Sequence, residues 1–285
     1  MNLFKIVLLL ITIIALVIFL YSWYRLNNSM KATSDVSKDT PARYHLTYQT
    51  KHFKTNDNIS LSGWYIPAEK PKAIIIMVHG YKDTKATILD HAPFLYEAGY
   101  TTFFIDLRPD RPEINFTMGV KEWRDVEGAF DYIKSLPGNK NKKIGFYSAS
   151  MGAATAIIAM GKTGKGNFII TSVPYANFQR LFEYQLGVEK LPPFLLPFLR
   201  LAAAFEFGWD YDRYSPDHFI AKIKKPIFLM AATHDEKVNF NDAKYLFDLA
   251  NKPKYFWQAD TKHRIFKEKP EEFKKRMLEF LNKQV

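Results

Sequence analysis

The first apolar stretch of the chain predicts a helix that crosses a membrane. Residues 6–20 read IVLLLITIIALVIFL, in which Thr12 is the one polar side chain, and Trp23 and Tyr24 follow shortly after. A helix needs about 20 mostly apolar residues to span the hydrocarbon core, and aromatic rings are enriched at the membrane interface. A cleaved signal peptide would carry small residues after the apolar run, where this chain has Tyr and Trp. The pattern therefore favours an uncleaved anchor over about residues 6–24.

A polar segment separates this apolar helix from the rest of the chain. Residues 27–40 are rich in Ser, Asn, Asp and Lys, as a linker beside a membrane would be. We therefore divide the chain into residues 1–40, the anchor with its linker, and residues 41–285, a globular domain. More Lys and Arg follow the span than precede it, which slightly favours a cytoplasmic domain. Anchors that resemble signal sequences usually leave the N-terminus inside, so we expect a single-pass membrane protein with an extracytoplasmic domain.

The remaining pattern alternates strand-like runs, several of them continuously apolar, with amphipathic stretches. Strands are predicted at residues 45–50, 61–66, 73–78, 101–105, 143–147, 168–172, 226–230 and 255–258. Helices are predicted at residues 85–98, 122–135, 151–160, 240–250 and 270–281. Continuous apolar runs are typical of strands that are covered on both faces. The order predicts an α/β domain with a doubly wound, mostly parallel sheet and helices on both faces.

One segment interrupts the alternation. Residues 177–214 contain the run LPPFLLPFLRLAAAFEFGWDYDRY, which is apolar, aromatic and broken by Pro192, Pro193 and Pro197. A long insertion within an α/β domain is usually a lid or a binding element. We expect a helical lid that fills a gap over the sheet, forms an apolar mouth for acyl chains, or does both.

Composition excludes several kinds of site. The 285 residues include no cysteine, which rules out disulfide bridges, zinc ribbons, iron–sulfur clusters and thiol nucleophiles. No H-E-x-x-H or comparable spacing indicates a metal, and no G-x-G-x-x-G follows an early strand. The net charge of +11 comes from Lys and Arg that are mixed with acids along the chain. This mixing indicates a solvated or lipid-facing surface more than a nucleic-acid site, so we predict no nucleic-acid partner.

The strongest chemical signal lies between a predicted strand and a predicted helix. Residues 143–153 read KIGFYSASMGA, which places Ser150 two residues after Ser148 and two before Gly152. A nucleophile elbow needs small residues at these two positions, because the strand and helix backbones approach closely there. If Ser148 were the nucleophile, Phe146 would occupy one of the small positions. We therefore predict Ser150 as the nucleophile, although Ser148 replaces the first glycine of G-x-S-x-G.

Two later loops contain the partners that a serine nucleophile requires. Asp235 follows the strand predicted at residues 226–230, and His263 follows the strand predicted at residues 255–258. Serine, then acid, then histidine is the chain order of hydrolases with this elbow. A neutral imidazole accepts the serine proton, and the carboxylate holds its tautomer and stabilises the imidazolium. We predict Asp235 as the acid and His263 as the base, with Glu236 as the nearest rival acid.

Catalysis at a serine also needs backbone N–H groups that stabilise the developing oxyanion. The N–H of Met151 follows the nucleophile and lies at a predicted helix N-terminus. A second donor is expected in the loop after residues 73–78, which begins His79-Gly80-Tyr81. We predict the N–H groups of Tyr81 and Met151 as the oxyanion hole, and His79 as a residue that supports the loop.

Together these motifs resemble the α/β-hydrolase superfamily. Within it the chain is similar to the monoglyceride-lipase and serine-aminopeptidase-like group, and to the single-pass, membrane-anchored alpha/beta-hydrolase-domain proteins. The matching residues are His79-Gly80-Tyr81, Asp106-Leu107-Arg108, Phe116-Thr117-Met118-Gly119, Glu122-Trp123-Arg124-Asp125-Val126, Ser150-Met151-Gly152, Asp235 and His263. The resemblance covers about residues 45–283, and it departs at Ser148 and at residues 109–112, where the family often has Gly-His-Gly. It implies an α/β-hydrolase fold and hydrolysis of esters or related acyl compounds without a metal or organic cofactor.

These observations lead to one expected function and two alternatives. We expect a membrane-anchored serine hydrolase that cleaves carboxylic esters of acyl or lipid-like compounds, with membrane lipid around its anchor. The apolar residues 191–209 favour such acyl substrates. A serine peptidase of the same fold is the main rival among enzymes. The alternative outside the enzymes is a non-catalytic, membrane-tethered binding protein that kept the fold.

Overall fold

A single mixed sheet forms the centre of the domain in the computed structural model, which describes residues 2–32, 39–110 and 113–284. The strands in these residues are β1 (Gln49–Lys54), β2 (Ser60–Ile66), β3 (Ile74–Val78), β4 (Thr101–Ile105), β5 (Ile144–Ala149), β6 (Ile169–Ser172), β7 (Ile227–Ala232) and β8 (Lys254–Ala259). Their order across the sheet is β1-β2-β4-β3-β5-β6-β7-β8. β2 runs antiparallel to both β1 and β4, and the pairings from β4 to β8 are parallel.

Helices surround the sheet and precede it. Those described are α1 (Leu3–Met30), α2 (Ala92–Glu97), α3 (Trp123–Ser135), α4 (Met151–Thr163), α5 (Phe178–Val188), α6 (Leu196–Phe207), α7 (Asp217–Ile220), α8 (Phe240–Leu249), α9 (Ile265–Glu268) and α10 (Pro270–Asn282). Short 3-10 helices occur at Pro41–Tyr44, Lys85–His91, Arg108–Asp110, Pro193–Leu195 and Tyr211–Tyr214.

Two apolar layers cover the two faces of the sheet. Ile74, Ile76 and Val78 of β3 pack in one layer with side chains of α3 and α4. Ile75 and Met77 of the same strand pack in the other layer with side chains of α2 and α10. Because successive side chains of a strand point to opposite faces, a strand buried on both faces must be apolar throughout. This explains the continuous apolar runs in the sequence.

Two elements of the domain differ most from the sequence prediction. The first strand was predicted at residues 45–50, but β1 begins at Gln49 because a 3-10 helix precedes it and His45 takes a left-handed conformation, with φ 56°. The helix predicted at residues 85–98 forms as a 3-10 helix followed by α2. Pro93 lies in the first turn of α2. An N–H at that position has no intrahelical acceptor, so the N–H that proline lacks costs the helix no hydrogen bond.

The N-terminal helix extends beyond the predicted span at both ends. Among the described residues, α1 is the one helix long and apolar enough to cross a membrane. It contains residues 6–24 and continues into the predicted linker as far as Met30. Residues 33–38 of that linker lie outside the described residues. Within the insertion at residues 177–214, α6 packs against α1.

Candidate active site

A sharp turn places Ser150 between β5 and α4. Ser150 has φ 55° and ψ −125°, a positive-φ conformation that non-glycine residues rarely adopt. Such strain costs about 1–3 kcal/mol and persists only where the surrounding structure holds it. Here the Ser150 N–H donates to the carbonyl oxygen of Ser172 at 2.8 Å, which ties the turn to β6. The turn ends β5 at the carboxyl edge of the sheet, where the loops after β3, β7 and β8 also emerge.

Small residues beside the turn allow the close packing of α4 on β3. A Cβ on Gly152 would lie 2.2 Å from the carbonyl oxygen of His79 and 2.9 Å from that of Val78. Any side chain at position 152 would therefore force the helix away from the strand. Ser148 at the other small position is fully buried in β5, and its Oγ donates to the Ile170 carbonyl oxygen at 3.2 Å. Ser148, which stands where the motif has its first glycine, thus has a hydrogen-bond partner for its hydroxyl within the sheet.

The structure brings the three predicted catalytic side chains into one hydrogen-bonded row. His263 Nε2 lies 3.0 Å from Ser150 Oγ, and His263 Nδ1 lies 2.7 and 2.9 Å from the two carboxylate oxygens of Asp235. With Nδ1–H donating to the carboxylate, Nε2 is left as an acceptor for the serine proton. This is the tautomer that a general base for Ser150 needs.

The carboxylate of Asp235 is shielded from water and held in place. Its side chain is 1% exposed, against 14% for His263, and its Oδ1 also accepts the N–H groups of Lys237 and Val238 at 2.8 and 3.0 Å. The rival acid Glu236 is 75% exposed and pairs with Lys262 at 4.0 Å. Of the two neighbouring acids, Asp235 is therefore the one that contacts His263.

The loop predicted to supply the second oxyanion donor lies against Ser150. A Cβ built on Gly80 would be 3.2 Å from the Ser150 Cβ. His79 is buried and links this loop to the next one, because its Nδ1 faces the Gly80 carbonyl oxygen at 2.9 Å and its Nε2 accepts the Leu107 N–H at 3.1 Å. Tyr81 follows in the same loop, and Met151 begins α4, where the first N–H groups have no intrahelical partner. The oxyanion role of both N–H groups stays a prediction.

A buried ion pair supports the loop that follows β4. Arg108 donates to Asp125 through its backbone N–H at 2.8 Å, its Nε at 3.0 Å and its Nη2 at 2.8 Å. Its guanidinium also makes two bonds to Asp57, at 2.8 and 3.1 Å. Burial raises the pKa of Asp125 to about 7, although Arg108 acts in the opposite direction. Arg108 and Asp125, both among the residues that carry the family resemblance, thus tie the loop after β4 to α3.

A cavity of about 470 Å³ includes Ser150 and His263 in its lining, a size usual for small-molecule sites. Most of its lining is apolar, and much of that comes from the insertion and from α1. The apolar side chains include Leu26, Leu181, Leu186, Leu195 and Leu199. Polar side chains in the same wall include Asp83, Asp90, Arg264 and Lys267.

The contribution of α1 to this cavity escaped the sequence reasoning, which treated the helix as an anchor alone. One signal could have found it. Ser22, Arg25, Asn27 and Ser29 interrupt the apolar character in the last third of the helix, which is typical of a helix end that meets protein or water. In residues 2–32, 39–110 and 113–284 no three His, Asp or Glu side chains are grouped as metal ligands.

Comparisons with known sequences find distant relatives. No family model matches the sequence. The uncharacterized protein YqkD of Bacillus subtilis is 25% identical over 208 residues, which are 70% of this chain and 68% of that protein. The polyketide transferase ATR5 of Stachybotrys chlorohalonatus is 21% identical over 295 residues, which are 82% of this chain and 99% of that protein.

Solved structures give the stronger likeness. The Pyrococcus furiosus esterase Pf2001 has a TM-score of 0.76 and 25% identity, covering 90% of this chain and 98% of its own. The α/β hydrolase GrgF from Penicillium has a TM-score of 0.70 and 18% identity, covering 84% of this chain and 99% of its own. These likenesses confirm the predicted α/β-hydrolase fold, and the esterase match supports ester hydrolysis as the general activity.

Proposed function

We propose that the chain is a membrane-anchored serine hydrolase that cleaves carboxylic esters of acyl or lipid-like compounds. Ser150 is the nucleophile, His263 the general base and acid, and Asp235 the residue that orients the base. One observation carries the proposal: an unbroken row of hydrogen bonds from Asp235 through His263 to Ser150 beside an apolar cavity. The fold of the esterase Pf2001 supports it.

The first half of the reaction forms an acyl-enzyme. His263 Nε2 takes the proton of Ser150 as Oγ attacks the ester carbonyl carbon, and the carbonyl oxygen becomes an oxyanion. The N–H groups of Tyr81 and Met151 donate to that oxyanion, and losing one such donor typically costs about 2.7–4 kcal/mol of barrier. The imidazolium then gives its proton to the departing alkoxide, so an alcohol leaves and the acyl group stays on Ser150.

The second half releases the acid. Water replaces the alcohol, His263 accepts one of its protons, and the hydroxide attacks the acyl carbon. Collapse of the second oxyanion returns the proton to Ser150 Oγ and frees the carboxylic acid. In both halves the buried carboxylate of Asp235 stabilises the imidazolium, and its shielding from water strengthens that interaction.

The apolar lining favours an acyl group as the part of the substrate that is buried. Leu181 and Leu186 of α5, with Leu195 and Leu199 near α6, line the cavity. Each methylene that leaves water for such a wall contributes about 0.8 kcal/mol. The insertion at residues 177–214 thus acts as both a lid over the sheet and a wall for the acyl chain.

The proposal also includes the location of the enzyme, which depends on α1. We propose that α1 is a single membrane span and that the catalytic domain lies on the extracytoplasmic side. Protease treatment of intact cells should then digest the domain, and protection of the domain until the cells are lysed would reverse the orientation.

The decisive experiment uses the full chain in detergent micelles. A fluorophosphonate probe should label the wild type and should fail to label Ser150→Ala. Ser148→Ala is the matched control, because it removes a nearby buried hydroxyl that faces Ile170 and not His263, and it should keep labelling. Labelling of Ser150→Ala would refute the assignment of the nucleophile.

The same preparation separates the two alternatives. Faster cleavage of aminoacyl amides than of acyl nitrophenyl esters would favour the peptidase. A wild-type protein that is silent to the probe and to every ester, yet binds an acyl ligand, would favour the binding protein.

A further inference from the structure

The N-terminal helix is longer than a membrane span requires. α1 has 28 residues, which at about 1.5 Å per residue gives about 42 Å. A hydrocarbon core of about 30 Å takes up about 20 of these residues. The last nine residues of the helix, here called the docked segment (residues 22–30), include the end of the predicted span and extend past the core toward the domain.

One face of the docked segment is buried in the domain. Ser22, Leu26 and Met30 are 7%, 6% and 7% exposed, whereas Leu16 earlier in the same helix is 53% exposed. Residues four apart lie on the same side of a helix. The last two turns of α1 therefore pack along a single stripe, as a helix of the domain would, while most side chains of the preceding turns are exposed.

Polar contacts hold the docked segment to the insertion. Asn27 Nδ2 donates to Glu206 Oε1 at 3.0 Å, and Arg25 pairs with Glu189 at 2.9 Å. The ion pair is exposed and contributes little energy by itself. The two contacts instead set the rotation of α1, so that the face with Leu26 turns toward the cavity.

Other contacts join the docked segment to loops of the candidate active site. The Phe116 N–H donates to the Met30 carbonyl oxygen at 2.7 Å, and the Tyr81 hydroxyl donates to the Ser29 carbonyl oxygen. Burial raises the pKa of Tyr81 to about 12, so its hydroxyl remains a donor at every physiological pH. Tyr81 belongs to the loop that lies against Ser150.

We infer that the docked segment is one wall of the acyl-binding cavity, and that Leu26 and Met30 set the length of acyl chain that the cavity accepts. Both side chains line the cavity that also contains Ser150 and His263. The inference rests on the proposed ester hydrolysis and adds its specificity determinant. The membrane helix is then part of the substrate site as well as an anchor.

The surroundings of the docked segment fit an acyl substrate that comes from the bilayer. Phe205 and Trp209, at the end of α6 and just after it, are 58% and 73% exposed. The Phe205 ring lies 5.5 Å from that of Phe19, which belongs to the predicted span. Exposed aromatic side chains beside the end of a membrane span are typical of the membrane interface. The cavity, which α6 and the docked segment help to line, therefore lies beside the region where lipid acyl chains begin.

The test compares acyl-chain selectivity in the full chain. Leu26→Trp fills the wall and should lower the ratio of kcat/KM for nitrophenyl decanoate to that for nitrophenyl acetate about tenfold, a change usual for altered volume in an apolar pocket. Leu26→Ala should shift the preference toward longer chains. Leu16→Trp, the same exchange on the exposed part of α1, should leave the ratio unchanged.

Fluorophosphonate labelling of each variant shows whether its site is still assembled. An unchanged ratio in both labelled Leu26 variants would overturn the inference while leaving the proposed function standing. If Leu26→Trp does not fold, Leu26→Ala decides alone. Wild-type protein that neither labels nor hydrolyses any ester would refute the proposed function itself, and the inference with it.

Discussion

Because the turn at Ser150 is strained, we expect the candidate nucleophile to lower the stability of the folded domain. Replacing Ser150 by Gly should make the protein more stable than replacing it by Ala. Both substitutions remove Oγ and its 3.0 Å contact with His263, so that loss cancels in the comparison. What differs is the Cβ, which disfavours the φ of 55° and ψ of −125° that the turn imposes.

The size of the effect follows from two opposing terms. A non-glycine residue in such a conformation stores about 1–3 kcal/mol of strain, which Gly relieves. Gly also loses about 0.5–1 kcal/mol more backbone entropy on folding. The difference leaves Ser150→Gly about 1 kcal/mol more stable than Ser150→Ala, which for a domain of this size is about 2–4 °C in Tm.

Thermal unfolding of both full-length variants in the same detergent, followed by tryptophan fluorescence at one scan rate, measures this difference. Both variants should be inactive, so catalysis cannot confuse the comparison. An Ser150→Ala protein that is as stable as Ser150→Gly, or more stable, would show that the turn holds no strain and would refute the reasoning.

Two further predictions concern the buried carboxylates. Asp235→Asn should lower kcat for a nitrophenyl ester on the order of 10⁴-fold. The amide N–H₂ group would donate to His263 Nδ1, so the imidazole proton would move to Nε2, which could then no longer accept the proton of Ser150. Retained activity would contradict this. Arg108→Gln should cost about 3–5 kcal/mol and leave Asp125 buried without its cation. The folded pKa of Asp125, already about 7, then rises further above its unfolded value, so stability is kept at low pH and lost as pH rises through the folded pKa. The Tm deficit of the variant should be larger at pH 8 than at pH 5, and a deficit independent of pH would contradict it.

The meeting of Ser150, Asp235 and His263 could be anticipated from chain order. Each follows a strand that the apolar pattern predicts, and those strands, β5, β7 and β8, belong to the parallel part of the sheet. Because the carboxyl ends of parallel strands share one edge, residues far apart in sequence are brought to the same place. Their catalytic roles remain predictions that the labelling experiment addresses.

Other features depend on contacts that no local pattern contains. The left-handed His45, which delays β1, is not marked by a Gly or Asn at that position. The docking of α1 rests on pairs such as Arg25 with Glu189, which are 164 residues apart. The predicted division between residues 1–40 and residues 41–285 follows the polar linker, and the contacts of the docked segment cross it.

The end of α1 and the loops of the candidate site satisfy each other's hydrogen-bonding groups. The last carbonyl oxygens of a helix have no intrahelical donor, and here those of Ser29 and Met30 accept from Tyr81 and Phe116. Separating α1 from the domain would break both hydrogen bonds at once. A donor that stays buried without its acceptor costs about 1–3 kcal/mol. A displacement of α1 relative to the domain must therefore break these bonds or move the Tyr81 loop with it, and that loop contains a predicted oxyanion donor. If α1 spans a membrane as we propose, attachment to that membrane and the geometry at Ser150 are therefore coupled.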